Sequence, residues 1–191
     1  MDLPPALVRQ LAAEGILRYG HFAFRTGRHS AALIDRDLLL ADPALASHFG
    51  YSIAKNWFTN HIETVVTPSI WGAGLAQWVG YFLEPKAKVV EAIPGNHGFT
   101  IADKLLPMIE GKRVLFVDNL VLSGQTMEQL SNIAAEHDAT VVGIAALWSA
   151  AGNRIGDIPV YAALNGHFPA WAPDDCPECL DGLGDPELVS Y

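Results

Sequence analysis

Val114-Leu115-Phe116-Val117 is an uninterrupted apolar run that gives way at once to Asp118-Asn119-Leu120-Val121-Leu122-Ser123-Gly124-Gln125-Thr126. A helical stretch then runs from about Thr126 to His137. A strand without polar alternation is covered on both faces, as in parallel sheets, and a strand that passes through a short loop into a helix is the repeating unit of such a sheet. The rest of the chain keeps the same rhythm. Thr64-Val65-Val66-Thr67, Val89-Val90, Val141 to Leu147 and Pro159 to Leu164 read as further strands. The expected fold class is therefore α/β, a central parallel sheet flanked by helices.

The first forty residues read differently. Asp2, Pro4 and Pro5 open a helix that Gly15 closes, with Leu3, Leu7 and Leu11 at helical spacing. Gly20 to Asp35 carries two short strands (Phe22 and Phe24, then Leu33) joined by a turn at Thr26-Gly27-Arg28. Asp42-Pro43 starts a second helix whose Leu45, Phe49, Ile53 and Trp57 form a core stripe. From Trp171 onward the chain is rich in Pro, Asp and Gly and reads as irregular. A length of 191 residues suits one domain, 1–191, at roughly 100–200 residues per domain.

Ligands of open parallel sheets bind beyond the carboxyl ends of the strands, so the residues after each apolar run are the place to look. The loop after Val117 is small and hydroxylated and lies at a helix start. There, backbone N–H groups and the helix dipole favour an anion. Gly124 admits close approach, Ser123 and Thr126 can donate hydroxyl hydrogen bonds, and Asp118 can accept from sugar hydroxyls. The same residues also suit an ordinary strand-to-helix turn with Thr126 as N-cap.

The formal charge is −9, from 21 acidic and 12 basic residues, which disfavours nucleic acid and anionic membranes as partners. No apolar run reaches the roughly 18 residues needed to span a bilayer, and Met1-Asp2-Leu3-Pro4-Pro5 lacks the basic start of a secretory signal. A cytoplasmic location is expected. Cys176-Pro177-Glu178-Cys179 is half a zinc site, a redox pair or a reduced structural turn, and the histidines show no clustered ligand spacing in sequence.

The run Val114 to Thr126 resembles the signature of type I phosphoribosyltransferases that binds 5-phosphoribosyl 1-diphosphate (PRPP), in which two acidic residues precede a small phosphate loop. Gly20-His21-Phe22-Ala23-Phe24-Arg25-Thr26-Gly27-Arg28-His29-Ser30, ending at Asp35, is similar to the hood segment of the orotate phosphoribosyltransferases of that class. Thr67-Pro68-Ser69-Ile70-Trp71-Gly72 falls where those proteins have their pyrophosphate loop. Asn96-His97-Gly98 falls where a flexible catalytic loop carries a His-Gly pair. Ala172-Pro173-Asp174-Asp175-Cys176-Pro177-Glu178-Cys179 with Gly182 is similar to the tail of many bacterial members.

This resemblance implies a hood of about residues 1–40 plus the tail, and transfer of ribose 5-phosphate from PRPP to orotate, with Mg2+ and release of pyrophosphate. It places Ser123, Gly124, Gln125 and Thr126 on the 5-phosphate, Asp118 and Asn119 on the ribose, and Ser69, Ile70, Trp71 and Gly72 on the pyrophosphate. Arg25 and Arg28 of the hood, and His97 of the closing loop, complete the set; His97 and Arg28 also suit plain turn positions. A homodimer is expected.

Five positions depart from the family pattern, each by loss of charge. Asn119 replaces the second acid, and Gly95 stands where many members carry a lysine. Trp71 occupies a common lysine position, and Ser149-Ala150 stands for an Asp-Arg pair that helps read the base. Two readings follow: an active transferase, or a relative that binds PRPP or a nucleotide without catalysis, as a sensor or scaffold.

Overall fold

A computed structural model describes residues 4–68, 70–95, 98–165 and 168–189, with Trp71 in its backbone only. In chain order, α1 (Pro5–Ala13) leads into the hairpin β1 (Leu17–Ala23) and β2 (His29–Ile34), followed by α2 (Arg36–Ala41) and α3 (Pro43–Asn56). Then come β3 (Thr64–Thr67), α4 (Ile70–Phe82), β4 (Lys88–Glu91), and the short pair β5 (Ile93–Gly95) and β6 (Gly98–Thr100). A 3-10 segment, Asp103–Met108, precedes β7 (Arg113–Val121), α5 (Gln125–Glu136) and β8 (Thr140–Ser149). Last are β9 (Arg154–Ile155), β10 (Ile158–Ala162), α6 (Pro177–Leu180) and β11 (Glu187–Leu188). The chain divides into two compact units, Asp42–Ala163 and the pair of segments Met1–Ala41 with Leu164–Tyr191.

The larger unit is the sheet read from the apolar runs. Its strand order is β4-β3-β7-β8-β10-β9, parallel throughout except where β9 turns back antiparallel on β10. In β7 the pleat sends Val114 and Phe116 to one face and Leu115 and Val117 to the other, and all four are buried. Val114 and Phe116 join Met127, Leu130 and Ala134 of α5 in one core cluster. The stripe on α3 is core as expected: Leu45, Phe49, Ile53 and Trp57 are all buried. Asp42 caps that helix, its carboxylate accepting from the Ala44 and Leu45 amides at 2.8 and 3.3 Å.

In the smaller unit, β1 lies between β2, antiparallel, and β11, parallel. The turn expected at Thr26-Gly27-Arg28 is present, with Gly27 at φ +78°. Register slips between Tyr19 and Phe22, so β1 carries a bulge at Gly20-His21. The tail is more ordered than its composition indicates. It forms a 3-10 turn at Pro173–Asp175, the short α6, and β11, which pairs Phe22 with Glu187 and Ala23 with Leu188. Arg18 and Glu187 add an ion pair at 2.8 Å across β1 and β11. Asp2 and Leu3, assigned to the first helix from sequence, lie outside the described residues. Among the described residues no helix is long and apolar enough to cross a membrane.

Candidate functional site

The stretch read as a loop from Asp118 is strand as far as Val121; the sequence reading ended β7 four residues early. Leu120 and Val121 pair with Trp148 and Ser149 of β8, and this pairing keeps the backbone extended. Only Leu122, Ser123 and Gly124 make the turn into α5. The consequence is chemical. Asp118 sits inside the sheet near the carboxyl end of its central strand, held in orientation by a ladder on β8.

Asp118 is 9% exposed, and it lines a cavity of about 210 Å³ together with Leu120, Val121, Leu122, Ser123, Gly124, Thr126 and Met127. One carboxylate oxygen accepts from the Asn119 amide at 2.7 Å. Thr126 and Met127 belong to the first turn of α5, whose leading N–H groups have no intrahelical partner and carry the positive end of the dipole. The cavity is therefore a polar recess with amide and hydroxyl donors on one side and a carboxylate on the other. Such a recess can hold a phosphorylated sugar: the phosphate over the helix start, the hydroxyls on Asp118.

Gly124 is the N-cap of α5, with φ +86°, so the alternative of Thr126 as N-cap does not hold. A Cβ on Gly124 would also fall 2.9 Å from Ile155 Cδ1. Ser123 Oγ accepts from the Gln125 amide at 3.3 Å and so shapes the turn. Gln125 is exposed and does not line the cavity. Asn119, next along the strand from Asp118, points to the opposite side of the pleat and is not among the cavity's lining. Its Oδ1 accepts from the Leu120 amide at 2.7 Å, while its buried Nδ2 has no hydrogen-bond partner among the described residues.

The first turn of α4 meets the same place. A Cβ on Gly72 would lie 2.7 Å from Thr67 Oγ1 and 2.9 Å from Asp118 Oδ1. Only a residue without a side chain lets the first turn of α4 come this close to the end of β7. Ile70 is exposed. Ser69 and His97 lie outside the described residues, as does the Trp71 side chain. The strands that flank Asn96 and His97 pair as an antiparallel hairpin, Ile93 with Thr100 and Gly95 with Gly98. The structure thus brings Asp118, Ser123, Gly124, Thr126 and Gly72 together.

Arg25 and Arg28 belong to the smaller unit, at the turn between β1 and β2. Arg28 is half-buried and donates to the Ala170 carbonyl at 3.4 Å.

Sequence reasoning missed one constellation in that unit. His21, His29, Cys176 and Cys179 converge, with their ligand atoms all within 4.8 Å of one another. The absence of clustered spacing among the histidines was a property of the chain, not of the fold. Burial, and next the neighbouring His21, push the His29 imidazole below the ordinary histidine range; burial pushes the Cys176 thiol up. Both directions favour the neutral form.

Residues 59–162 match the family described as the phosphoribosyl transferase domain. An orotate phosphoribosyltransferase of Thermotoga maritima is 26% identical over 178 residues, covering 91% of this chain and 91% of that protein. One from Thermus thermophilus is 29% identical over 170 residues, covering 88% and 92%. Among solved structures, the orotate phosphoribosyltransferase from Aeropyrum pernix superimposes with a TM-score of 0.58 at 19% identity, covering 81% of this chain and 90% of that one.

Proposed function

This chain belongs to the phosphoribosyl transferase family, and we propose that within it the protein transfers ribose 5-phosphate from PRPP to orotate, with release of pyrophosphate, in pyrimidine nucleotide synthesis. The observation that carries the reading is the cavity at the carboxyl end of β7, walled by Asp118 and by the Ser123-to-Thr126 turn at the head of α5. The names of the relatives supply the acceptor base.

The proposed roles follow from the charges in the reaction. As the bond from the anomeric carbon to pyrophosphate breaks, the ribose takes on oxocarbenium character and negative charge grows on the leaving group. A protein accelerates such a step mostly by positioning and by preset donors. The first-turn amides of α5, with Ser123 and Thr126, hold the 5-phosphate. Asp118 orients the ribose hydroxyls and, as a carboxylate facing the developing cation, stabilises it. The loop from Thr67 to Gly72 receives the pyrophosphate, and His97 belongs to a segment that closes over it.

Magnesium, a hard cation that prefers oxygen ligands, would offset the charge of the diphosphate when bound with PRPP. Asp118, the one carboxylate lining the cavity among the described residues, fits that company. Homodimerisation and a cytoplasmic location belong to the same proposal.

The uncharged residues at Asn119, Gly95, Trp71 and Ala150 motivate the reading in which the site binds without catalysis, though homology to enzymes named for orotate does not favour it. One assay separates the two. Protein mixed with PRPP, magnesium and orotate is expected to deplete the orotate absorbance, and to do so only when all three are present. No depletion at high protein concentration, with PRPP still raising the melting midpoint, overturns transfer to orotate and leaves binding alone.

A further inference from the structure

We propose that His21, His29, Cys176 and Cys179 bind one zinc ion in a closed, four-ligand structural site that clasps the tail to the β1–β2 hairpin. Such a site is independent of the activity above. All four residues lie in the smaller unit, two on the hairpin, one as the N-cap of α6 and one within it. His21 Nε2 lies 3.0 Å from His29 Nδ1, 3.4 Å from Cys179 Sγ and 3.6 Å from Cys176 Sγ, and Cys179 Sγ lies 3.2 Å from His29 Nδ1. Zinc–nitrogen and zinc–sulfur bonds of about 2.0–2.1 and 2.3 Å set tetrahedral edges of about 3.3–3.8 Å between ligand atoms. These four separations sit close to those edges, and all four ligand atoms lie within 4.8 Å of one another.

Hydrogen bonding alone does not account for the cluster. A ring nitrogen has one in-plane position for a proton or a partner, yet His21 Nε2 is met by three groups at once. Its other nitrogen, Nδ1, lies 3.0 Å from the Gly184 carbonyl, the arrangement in which Nδ1–H donates and Nε2 keeps its lone pair. This is the partner that metal-bound histidines ordinarily have behind them. A disulfide between the two sulfurs would likewise leave the pair of facing imidazole nitrogens unexplained. A cation at the centre satisfies all four atoms together.

Local structure aims the ligands. The bulge at Gly20-His21 turns the His21 side chain off the regular pleat. His29 is fixed from behind by a two-way backbone pairing with Trp171, 2.9 Å in each direction. Pro177 and Glu178 between the cysteines start a short helical turn, which points both sulfurs the same way. Two nitrogens and two sulfurs select zinc over hard oxygen-seeking cations. Binding releases the two thiol protons to solvent, and the thiolates neutralise the dication. Cys176 and His29 are buried, and four protein ligands leave no open position, so the site is structural. A unit this small, discontinuous in sequence and with β11 only two residues long, is the kind that a metal holds together.

The full chain, purified under reducing conditions without added metal, is expected to carry about one zinc per chain by elemental analysis. After extraction with a strong chelator it is expected to take up one Co2+, giving the intense visible bands of a tetrahedral site and a thiolate charge-transfer band. Extraction should lower the melting midpoint of the wild type and leave Cys179→Ser unmoved, and Cys179→Ser and His21→Gln should each weaken Co2+ retention at least tenfold. Should these variants fail to fold, the wild-type Co2+ titration decides alone. Protein that holds neither zinc nor Co2+, a Cys176–Cys179 disulfide in its place, or a Cys179→Ser variant with an unchanged charge-transfer band overturns the proposal.

Discussion

A carboxylate stands at each end of β7, Glu63 from the residue before β3 and Asp118 from β7 itself, and the two are engaged in opposite ways. At the amino end, Glu63 is spent on protein: one oxygen meets Lys112 Nζ at 3.1 Å and the other accepts from the Arg113 amide at 3.1 Å. The Glu63 amide in turn donates to the Arg113 carbonyl at 2.9 Å. At the carboxyl end, Asp118 uses one oxygen to brace its own strand and borders a cavity closed on the far side by a helix start. The strand's polarity accounts for the difference. In a parallel sheet the carboxyl ends of the strands face the helix N-termini, so a carboxylate there lies opposite unpaired N–H groups and can share a ligand with them. One carboxylate is engaged with protein; the other borders a cavity.

The largest expected effect breaks this asymmetry at the carboxyl end. Asp118→Asn keeps the shape and the bond to the Asn119 amide but removes the charge. Loss of charged hydrogen bonds worth about 1.5–3 kcal/mol predicts a fall in kcat/KM of about 10- to 150-fold in the orotate assay. The melting midpoint should barely move. A variant as active as the wild type would show that this carboxylate does no more than the one at the other end.

Next in size is Gly124→Ala, which tests the turn that faces Asp118. A left-handed φ costs an L-residue about 1–2 kcal/mol, and the new methyl must also displace Ile155. For a chain of this length that is a fall in melting midpoint of about 2–8 °C. Zinc content, set in the other unit, should be unchanged. An unchanged midpoint would mean that the turn relaxes freely, and so is no fixed cradle for a phosphate.

How far the sequence could be read follows from what each feature is made of. The parallel strands of the larger unit were legible because each contains a contiguous apolar run, and the stripe on α3 because its period matches a helix; the two- and three-residue strands β5, β6, β9 and β11 were not read. The turn into α5 was legible because Ser123, Gly124 and Thr126 lie close together in the chain. The extent of β7 was not, because polar Asp118 and Asn119 look like loop until β8 is there to pair with them. Asn119 was placed beside Asp118 on the ligand, but neighbours in a strand face opposite ways. Helix α2 was passed over although its signal was present: Asp35 accepts from the Asp37 and Leu38 amides, each at 3.0 Å, as an N-cap does. The His–Cys cluster joins positions about 150 residues apart, so only the folded tail reveals it.

The smallest expected effect sharpens the comparison at the amino end of β7. The hydrogen bond from the Arg113 amide, and next the Lys112 side chain, hold the Glu63 carboxyl below its ordinary value of 4.5. A carboxyl depressed in the folded state contributes stability above the ordinary value, and that contribution is lost as pH falls through the lower, folded one. Glu63→Gln should therefore melt slightly below the wild type at neutral pH, with the gap closing only under acid conditions below the usual carboxylate range. Added salt should narrow the neutral-pH gap, because both partners are about half exposed and screened by solvent. Orotate depletion should be unaffected throughout. A gap that persists in acid would mean that Glu63 acts through packing of its stem, and the contrast between the two ends of the strand would then be one of position alone.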